Sequence, residues 1–109
     1  MSNATQTIRN ITATTSVSLP GTPTIYNITS SGTANTETSQ ALTANTKQFT
    51  IRARTRADLK IAFTATESGT NFITIPKGTS YTVSGIDFTG TIYLQSPSTS
   101  IPVEILEWT

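Results

Sequence analysis

Short stretches of alternating apolar and polar residues recur along the chain, and this period of two predicts β-strands. The clearest stretch covers 48–54, where Phe49, Ile51 and Ala53 fall on one face. The same alternation returns over 59–64. Only a short link separates the two stretches, which predicts a hairpin, although the link lacks the Asn-Gly or Asp-Gly pair of a tight turn.

Turn residues separate the other strand-like stretches of the chain. These stretches are 24–29, 35–42, 72–75, one that begins at Tyr81, 91–95 and 101–108. Seven or eight short strands without helical periodicity are typical of an all-β domain. We therefore predict that 24–109 form a single antiparallel β-sandwich, jelly-roll-like, or a small barrel of about seven to eight strands.

Residues 1–23 have a different pattern, with isolated apolar residues and a Pro-Gly break at its end. This segment has too few large apolar side chains to form a core of its own. We predict an extended N-terminal arm that packs on the domain or along a neighbouring molecule. Its candidate contact residues are Ile8, Arg9, Ile11, Val17 and Leu19.

The composition supports a folded β domain. Serine and threonine make up about a third of the 109 residues, and threonine is β-branched and suits a pleated surface. Disordered chains combine low hydrophobicity with high net charge, whereas this chain is 35% hydrophobic with a net charge of +1. That weak charge gives no electrostatic basis for strong nucleic-acid binding.

The chain lacks the residue types on which most catalysis depends. It contains neither histidine nor cysteine, so a catalytic triad has no base and thiolate metal sites are excluded. Glu104 and Glu107 would lie on opposite faces of one strand, which does not suit a catalytic carboxylate pair. We predict a protein that is not an enzyme and has no cofactor. No stretch approaches the roughly 20 apolar residues of a membrane span, so no membrane partner is expected.

Three arginines recur at intervals of two, at Arg52, Arg54 and Arg56. If the strand continues through them, they form a cationic stripe on one face, with Lys60 facing them from the next strand. One interpretation is a solvated face whose charges discourage aggregation. A second is a cluster that binds acidic side chains of a partner protein, and the least favoured is contact with nucleic acid.

Aromatic residues offer a further candidate surface. Trp108 follows apolar residues at strand spacing, which predicts core packing. Tyr26, Tyr81, Tyr93 and, as the alternative to its core packing, Trp108 are candidates for a carbohydrate-stacking platform.

Six segments together resemble small structural proteins of tailed bacteriophage particles. They are TETSQAL at 36–42, NTKQFTIRAR at 45–54, ADLKIAF at 57–63, IPKGTSY at 75–81, GTIYLQS at 90–96 and VEILEW at 103–108. Among those proteins, the chain most resembles the head decoration or stapling proteins of short-tailed phages of the epsilon15 type. The arm lies outside the resemblance.

The resemblance implies a decoration protein that binds the major capsid protein across subunit boundaries and stabilises the shell. Its partners would be the major capsid protein and neighbouring copies of itself, with no small-molecule substrate. It would lie on the capsid exterior after assembly in the host cytoplasm. Two alternatives stay open, namely a receptor- or glycan-binding module of a fibre, and a head-to-tail connector or tail-completion protein.

Overall fold

A computed structural model describes residues 21–109, which form two four-stranded antiparallel β-sheets and no helix. The strands are β1 (Thr24–Thr29), β2 (Thr38–Ala41), β3 (Thr46–Ala53), β4 (Leu59–Ala62), β5 (Ile73–Ile75), β6 (Ser80–Phe88), β7 (Thr91–Gln95) and β8 (Pro102–Trp108). Sheet A has the order β1-β8-β3-β6, and sheet B has the order β2-β7-β4-β5.

The prediction of an antiparallel all-β domain with about eight strands is confirmed for the described residues. A small closed barrel, the alternative prediction, is not formed by them, because the two sheets are hydrogen-bonded separately. The fold is therefore β-sandwich-like. Within 21–109 no helix has the length and hydrophobicity to cross a bilayer.

The core contains side chains from both sheets, because each strand turns alternate residues toward the other sheet. The most deeply buried apolar side chains are Phe49, Ile51, Leu59, Ile61, Ile92, Leu94, Val103 and Ile105. Full burial of each such side chain contributes about 1.5–3 kcal/mol.

The predicted hairpin between the stretches 48–54 and 59–64 is wrong. β3 pairs with β6 and β8 in sheet A, whereas β4 pairs with β5 and β7 in sheet B. Just after β3, the Arg54 N–H donates to the Pro102 carbonyl at 2.8 Å, and Ala57 is then buried in the core. The link therefore crosses from one sheet to the other instead of reversing within one sheet.

Strand β6 forms one edge of sheet A and contains an irregularity. Thr46 of β3 lies opposite Phe88, but Gln48 lies opposite Ser84, so β6 has two more residues than β3 over this stretch. Gly85 has φ 68°, in the left-handed region that glycine adopts without steric cost. β6 therefore contains a bulge at Gly85.

Candidate functional site

The outward-facing side of sheet A presents one cluster of exposed charged and apolar side chains. Glu104 and Leu106 alternate along β8 with the buried Val103 and Ile105, so they face away from the core. On neighbouring β1, Ile25 lies opposite Leu106 and is 65% exposed. We call this surface the outer face of sheet A.

Two of the three predicted arginines lie on this face and share one carboxylate. The Arg52 Nε donates to Glu104 Oε1 at 2.7 Å, and the Arg54 Nε donates to Glu104 Oε2 at 3.1 Å. Arg54 Nη2 also donates to Asn27 Oδ1 at 2.9 Å. Hydrogen bonds from Arg52 and then Arg54 hold the pKa of Glu104 below its usual value. The cluster keeps a net positive charge, since two guanidinium groups surround one carboxylate.

The third arginine and the lysine lie elsewhere, so the predicted stripe of four cations is wrong. Arg56 lies beside the turn between β5 and β6, where a side-chain carbon added at Gly78 would be 3.3 Å from its Nη1. Lys60 is on β4 in sheet B, and its Nζ lies 4.8 Å from the centre of the Phe72 ring. The stripe ends because β3 ends at Ala53 and the chain then crosses to sheet B.

A shallow cavity of about 340 Å³ lies on the outer face of sheet A. Its lining combines apolar and charged groups, from Ile25, Thr50, Arg52, Ser80, Glu104, Ile105 and Leu106. A surface of this kind, with an apolar centre beside arginines, has the composition of a protein-binding surface.

The aromatic residues do not converge on one platform. Trp108 alternates with the inward Glu107 on β8, so it is only part-buried on the outer face of sheet A, and the prediction of core packing is wrong. Tyr26 donates to Glu107, and Tyr81 faces the space between the sheets. Tyr93 is part-buried on β7 of sheet B.

The buried side chain of Glu107 is the centre of a polar cluster that the sequence analysis did not identify. It is 1% exposed, and its carboxylate accepts hydrogen bonds from the Tyr26 hydroxyl at 3.0 Å and from the Thr43 N–H at 2.9 Å. We call these three residues the Glu107 cluster. It joins β1 and β8 to the connection between β2 and β3, so it holds the two sheets together on this side.

The opposite side of the molecule contains an apolar cleft of about 260 Å³ between the sheets. We call it the β6 cleft; its lining residues are Phe49, Phe63, Tyr81, Val83, Ile86, Asp87 and Phe88. The ring of Phe63 lies 6.1 Å from that of Phe49 and 5.6 Å from that of Phe88, centre to centre. Phe63 is 42% exposed, so the aromatic cluster is open to solvent.

The predicted arm contacts Ile8, Arg9, Ile11, Val17 and Leu19 lie outside the described residues. Among 21–109, no group of three acidic side chains is arranged to hold a metal ion. Comparisons of this chain with protein-family models, with curated proteins and with solved structures find no match. The resemblance to phage structural proteins therefore stays a prediction.

Proposed function

We propose that this chain is a decoration protein of a tailed-bacteriophage head, which binds the major capsid protein across subunit boundaries and stabilises the shell. The single observation that carries the proposal is the outer face of sheet A, where Arg52 and Arg54 share Glu104 beside the exposed Ile25. The resemblance of the six segments to phage structural proteins is the reason that we propose the major capsid protein as the partner.

The arginine pair suits acidic side chains on a shell subunit. Both side chains are more than half exposed, at 61% for Arg52 and 54% for Arg54. Guanidinium groups bind carboxylates through two parallel hydrogen bonds, and each arginine uses only part of its donor set on Glu104. A partner carboxylate would therefore add contacts to a cluster that already has fixed geometry.

For the fold we infer a jelly-roll sandwich. Of the seven successive pairs of strands, all except β4 and β5 are divided between the two sheets. This division is expected of an eight-stranded jelly roll, an architecture that occurs in viral capsid proteins. A rigid domain of this kind would present the outer face of sheet A without reorganisation on binding.

The proposed location is the capsid exterior, and the proposed mode of action is binding without catalysis. Affinity would come from repetition, because many weak contacts on one particle act together. The arm residues 1–23 would add contacts along the shell, with Ile8 and Arg9 among them.

A binding assay with heads that lack the protein tests the arginine pair. We expect the double variant Arg52→Glu, Arg54→Glu to bind heads less tightly, with a smaller effect on the melting temperature. Arg56→Glu is the matched control, since Arg56 lies beside Gly78 and away from the pair. Equal binding by the double variant and the control would contradict the proposal.

Removal of residues 1–19 tests the arm. We expect a truncated chain that remains folded but no longer binds heads, because the described core lies within 21–109. Full occupancy of heads by the truncated chain would exclude a role for the arm.

The copy number per particle separates a decoration protein from the alternative of a connector, since a connector ring would contain only about six to twelve copies. Binding of the isolated protein to a glycan array would instead favour a fibre module.

A further inference from the structure

The outer edge of β6 is a strand edge whose one irregularity is the bulge at Gly85. β6 is the last strand of sheet A, and among residues 21–109 no strand pairs with its outer side. It has nine residues, without proline or lysine, and its one charged residue, Asp87, is bound by Lys47 at 2.9 Å. Charged residues and proline are the usual protection of such an edge, because unpaired N–H and C=O groups otherwise recruit another strand.

The same edge borders the β6 cleft, so an added strand would also meet apolar side chains. Tyr81 and Val83 of β6 line this cleft and are only half-buried. Phe63, which also lines this cleft, is 42% exposed. A strand beside β6 could therefore bury apolar side chains on its cleft-facing side and leave its other side in water.

The sequence before Gly21 has the pattern that such a strand needs. Over 11–19 (ITATTSVSL), the odd positions contain the apolar residues and the even positions contain only threonine and serine. No proline or charged residue interrupts these nine positions. If this segment were extended, one face would contain Ile11, Ala13, Val17 and Leu19 with Thr15 among them, and the other face would contain only hydroxyl side chains.

The path of the chain prevents the segment from reaching β6 of its own copy. The end of β6 and the start of β1 lie at the same end of sheet A, but β1 and β6 are its two opposite edges. Three strand spacings separate them, or about 14 Å. An antiparallel segment would end near Tyr81, a further strand length of roughly 20 Å away. Residues 20–23 cannot cover that distance.

A parallel arrangement within one copy is also excluded by the chain path. A segment beside β6 would lie four strand spacings from β1, or about 19 Å, and the chain from Leu19 to Thr24 covers at most about 18 Å when fully extended. Gly21 has φ 77°, which breaks the extension.

We propose that the segment 11–19 of one copy adds antiparallel to β6 of a second copy, with its residues 16–19 forming the continuous ladder along 81–84, before the bulge at Gly85. The register that pairs apolar residues places Leu19 opposite Tyr81 and Val17 opposite Val83, on the cleft side. It places Ser16 opposite Ser84 on the other side. The interaction requires two copies of this chain alone, so it stands apart from the proposed binding to a phage shell. Ile8 and Arg9 lie outside the added strand and stay free for other contacts.

Disulfide trapping between two single-cysteine variants tests the proposal, because the chain has no cysteine of its own. Full-length Ser16→Cys and Ser84→Cys, carrying tags of different mass, are mixed and oxidised without any phage component. Directly opposite residues of antiparallel strands are close enough for a disulfide. We expect a mixed disulfide between the two variants that exceeds the background of homodimers.

The matched control replaces Ser84→Cys with Asn27→Cys, on the other edge of sheet A. We expect no mixed disulfide above background with Ser16→Cys. An intramolecular disulfide in the double variant Ser16→Cys, Asn27→Cys would overturn the proposal, because it would place the segment on β1 of the same chain. Failure of Ser16→Cys and Ser84→Cys to form the mixed disulfide would overturn it as well.

Sedimentation of the full-length protein provides an independent measurement. We expect concentration-dependent association that Val17→Asp weakens by roughly tenfold or more, because the charge would enter the apolar cleft. Ser16→Asp, on the opposite side of the segment, should change the dissociation constant much less. A wild-type chain that remains monomeric at all concentrations would contradict the proposal, whatever its affinity for heads.

Discussion

The space between the two sheets is closed differently at the β1 edge and at the β6 edge of the molecule. On the side of β1, the Glu107 cluster joins the sheets through a carboxylate that accepts hydrogen bonds from Tyr26 and Thr43. On the side of β6, the space between the sheets is lined by aromatic rings, and Phe63 is 42% exposed. The described chain therefore closes one side with its own polar groups and leaves the other side apolar and open.

This difference indicates where a partner would contribute most. A closed polar cluster gains nothing from a partner, because its donors and acceptors are already paired. An open apolar cleft gains free energy from any apolar group that removes it from water. Substitutions on the two sides should therefore differ in what they change.

The largest expected effect is at Glu107. Glu107→Ala leaves the Tyr26 hydroxyl and the Thr43 N–H without their acceptor at a part-buried site, and we expect the unfolding free energy to fall by about 2–3 kcal/mol. Urea titration measures the change. Tyr26→Phe, which removes one donor and no acceptor, should cost only about 1 kcal/mol. Equal losses for the two variants would show that the cluster does not depend on the carboxylate.

Phe63→Ala should lower the unfolding free energy by a smaller amount, about 1–2 kcal/mol. Replacement of a fully buried phenylalanine by alanine costs about 3–5 kcal/mol, whereas the ring of Phe63 is already partly exposed. Phe49→Ala, at a 1% exposed position of the same aromatic cluster, serves as the fully buried reference. Comparison of the two by urea titration measures how open the cleft is. A loss at Phe63 as large as that at Phe49 would mean that the cleft is closed in solution.

Glu37 gives a pH-dependent contribution that is separate from both sides. Partial burial alone would raise its pKa, but hydrogen bonds from the Ser68 hydroxyl and from the N–H groups of Thr66 and Ser68 together lower the pKa below the ordinary 4.5. Because the folded pKa is the lower one, this stabilisation is fully present above pH 4.5 and is lost as the pH falls through the folded pKa.

We expect the stability difference between wild type and Glu37→Gln to be largest near neutral pH and to shrink in acid. Urea titrations at several pH values from neutral to strongly acidic measure it. The tightest of these contacts joins the Ser68 hydroxyl to Glu37 Oε1 at 2.6 Å, so Ser68→Ala should reduce the same difference in part. A difference that does not vary with pH would assign the effect of Glu37→Gln to packing.

The smallest expected effect is at Glu104. Its ion pairs with Arg52 and Arg54 are exposed to solvent, and exposed ion pairs contribute little to stability. Glu104→Gln should therefore be indistinguishable from wild type in a urea titration, while it increases the positive charge of the outer face of sheet A. Binding to an acidic partner should then become stronger and more sensitive to salt. Weaker binding would show that Glu104 itself contacts the partner.

Local patterns predicted most of the strands, because the alternation of apolar and polar side chains depends only on residues that are adjacent in the sequence. The stretch 48–54 is β3 with its predicted apolar face inward, and 91–95 matches β7. Pairing could not be read in the same way. The short link after β3 has the length of a hairpin loop. Whether the two strands that it joins pair within one sheet or lie in two facing sheets depends on the other strands with which each of them pairs.

The candidate site shows the same limit. Arg52 and Arg54 were predicted to share a face, and they meet at Glu104. Their partner lies about fifty positions further along the chain, so only the pairing of β3 with β8 brings it there. Glu104 and Glu107 do lie on opposite faces of β8, as predicted, but the burial of Glu107 was missed and Trp108 was misplaced, since the strand turns a glutamate inward and a tryptophan outward, against the usual preference.

The bulge at Gly85 sets a limit on how far the sheet can grow. Over residues 80–84, before the bulge, the backbone N–H and C=O groups of β6 follow the regular spacing of a strand. Beyond residue 84, the two extra residues shift these groups out of register with a regular incoming strand. An incoming strand can form a continuous ladder only along the first part. Such a short ladder is reversible, and it does not template the long, regular stacking from which fibres form. A single glycine would thus separate controlled association from aggregation.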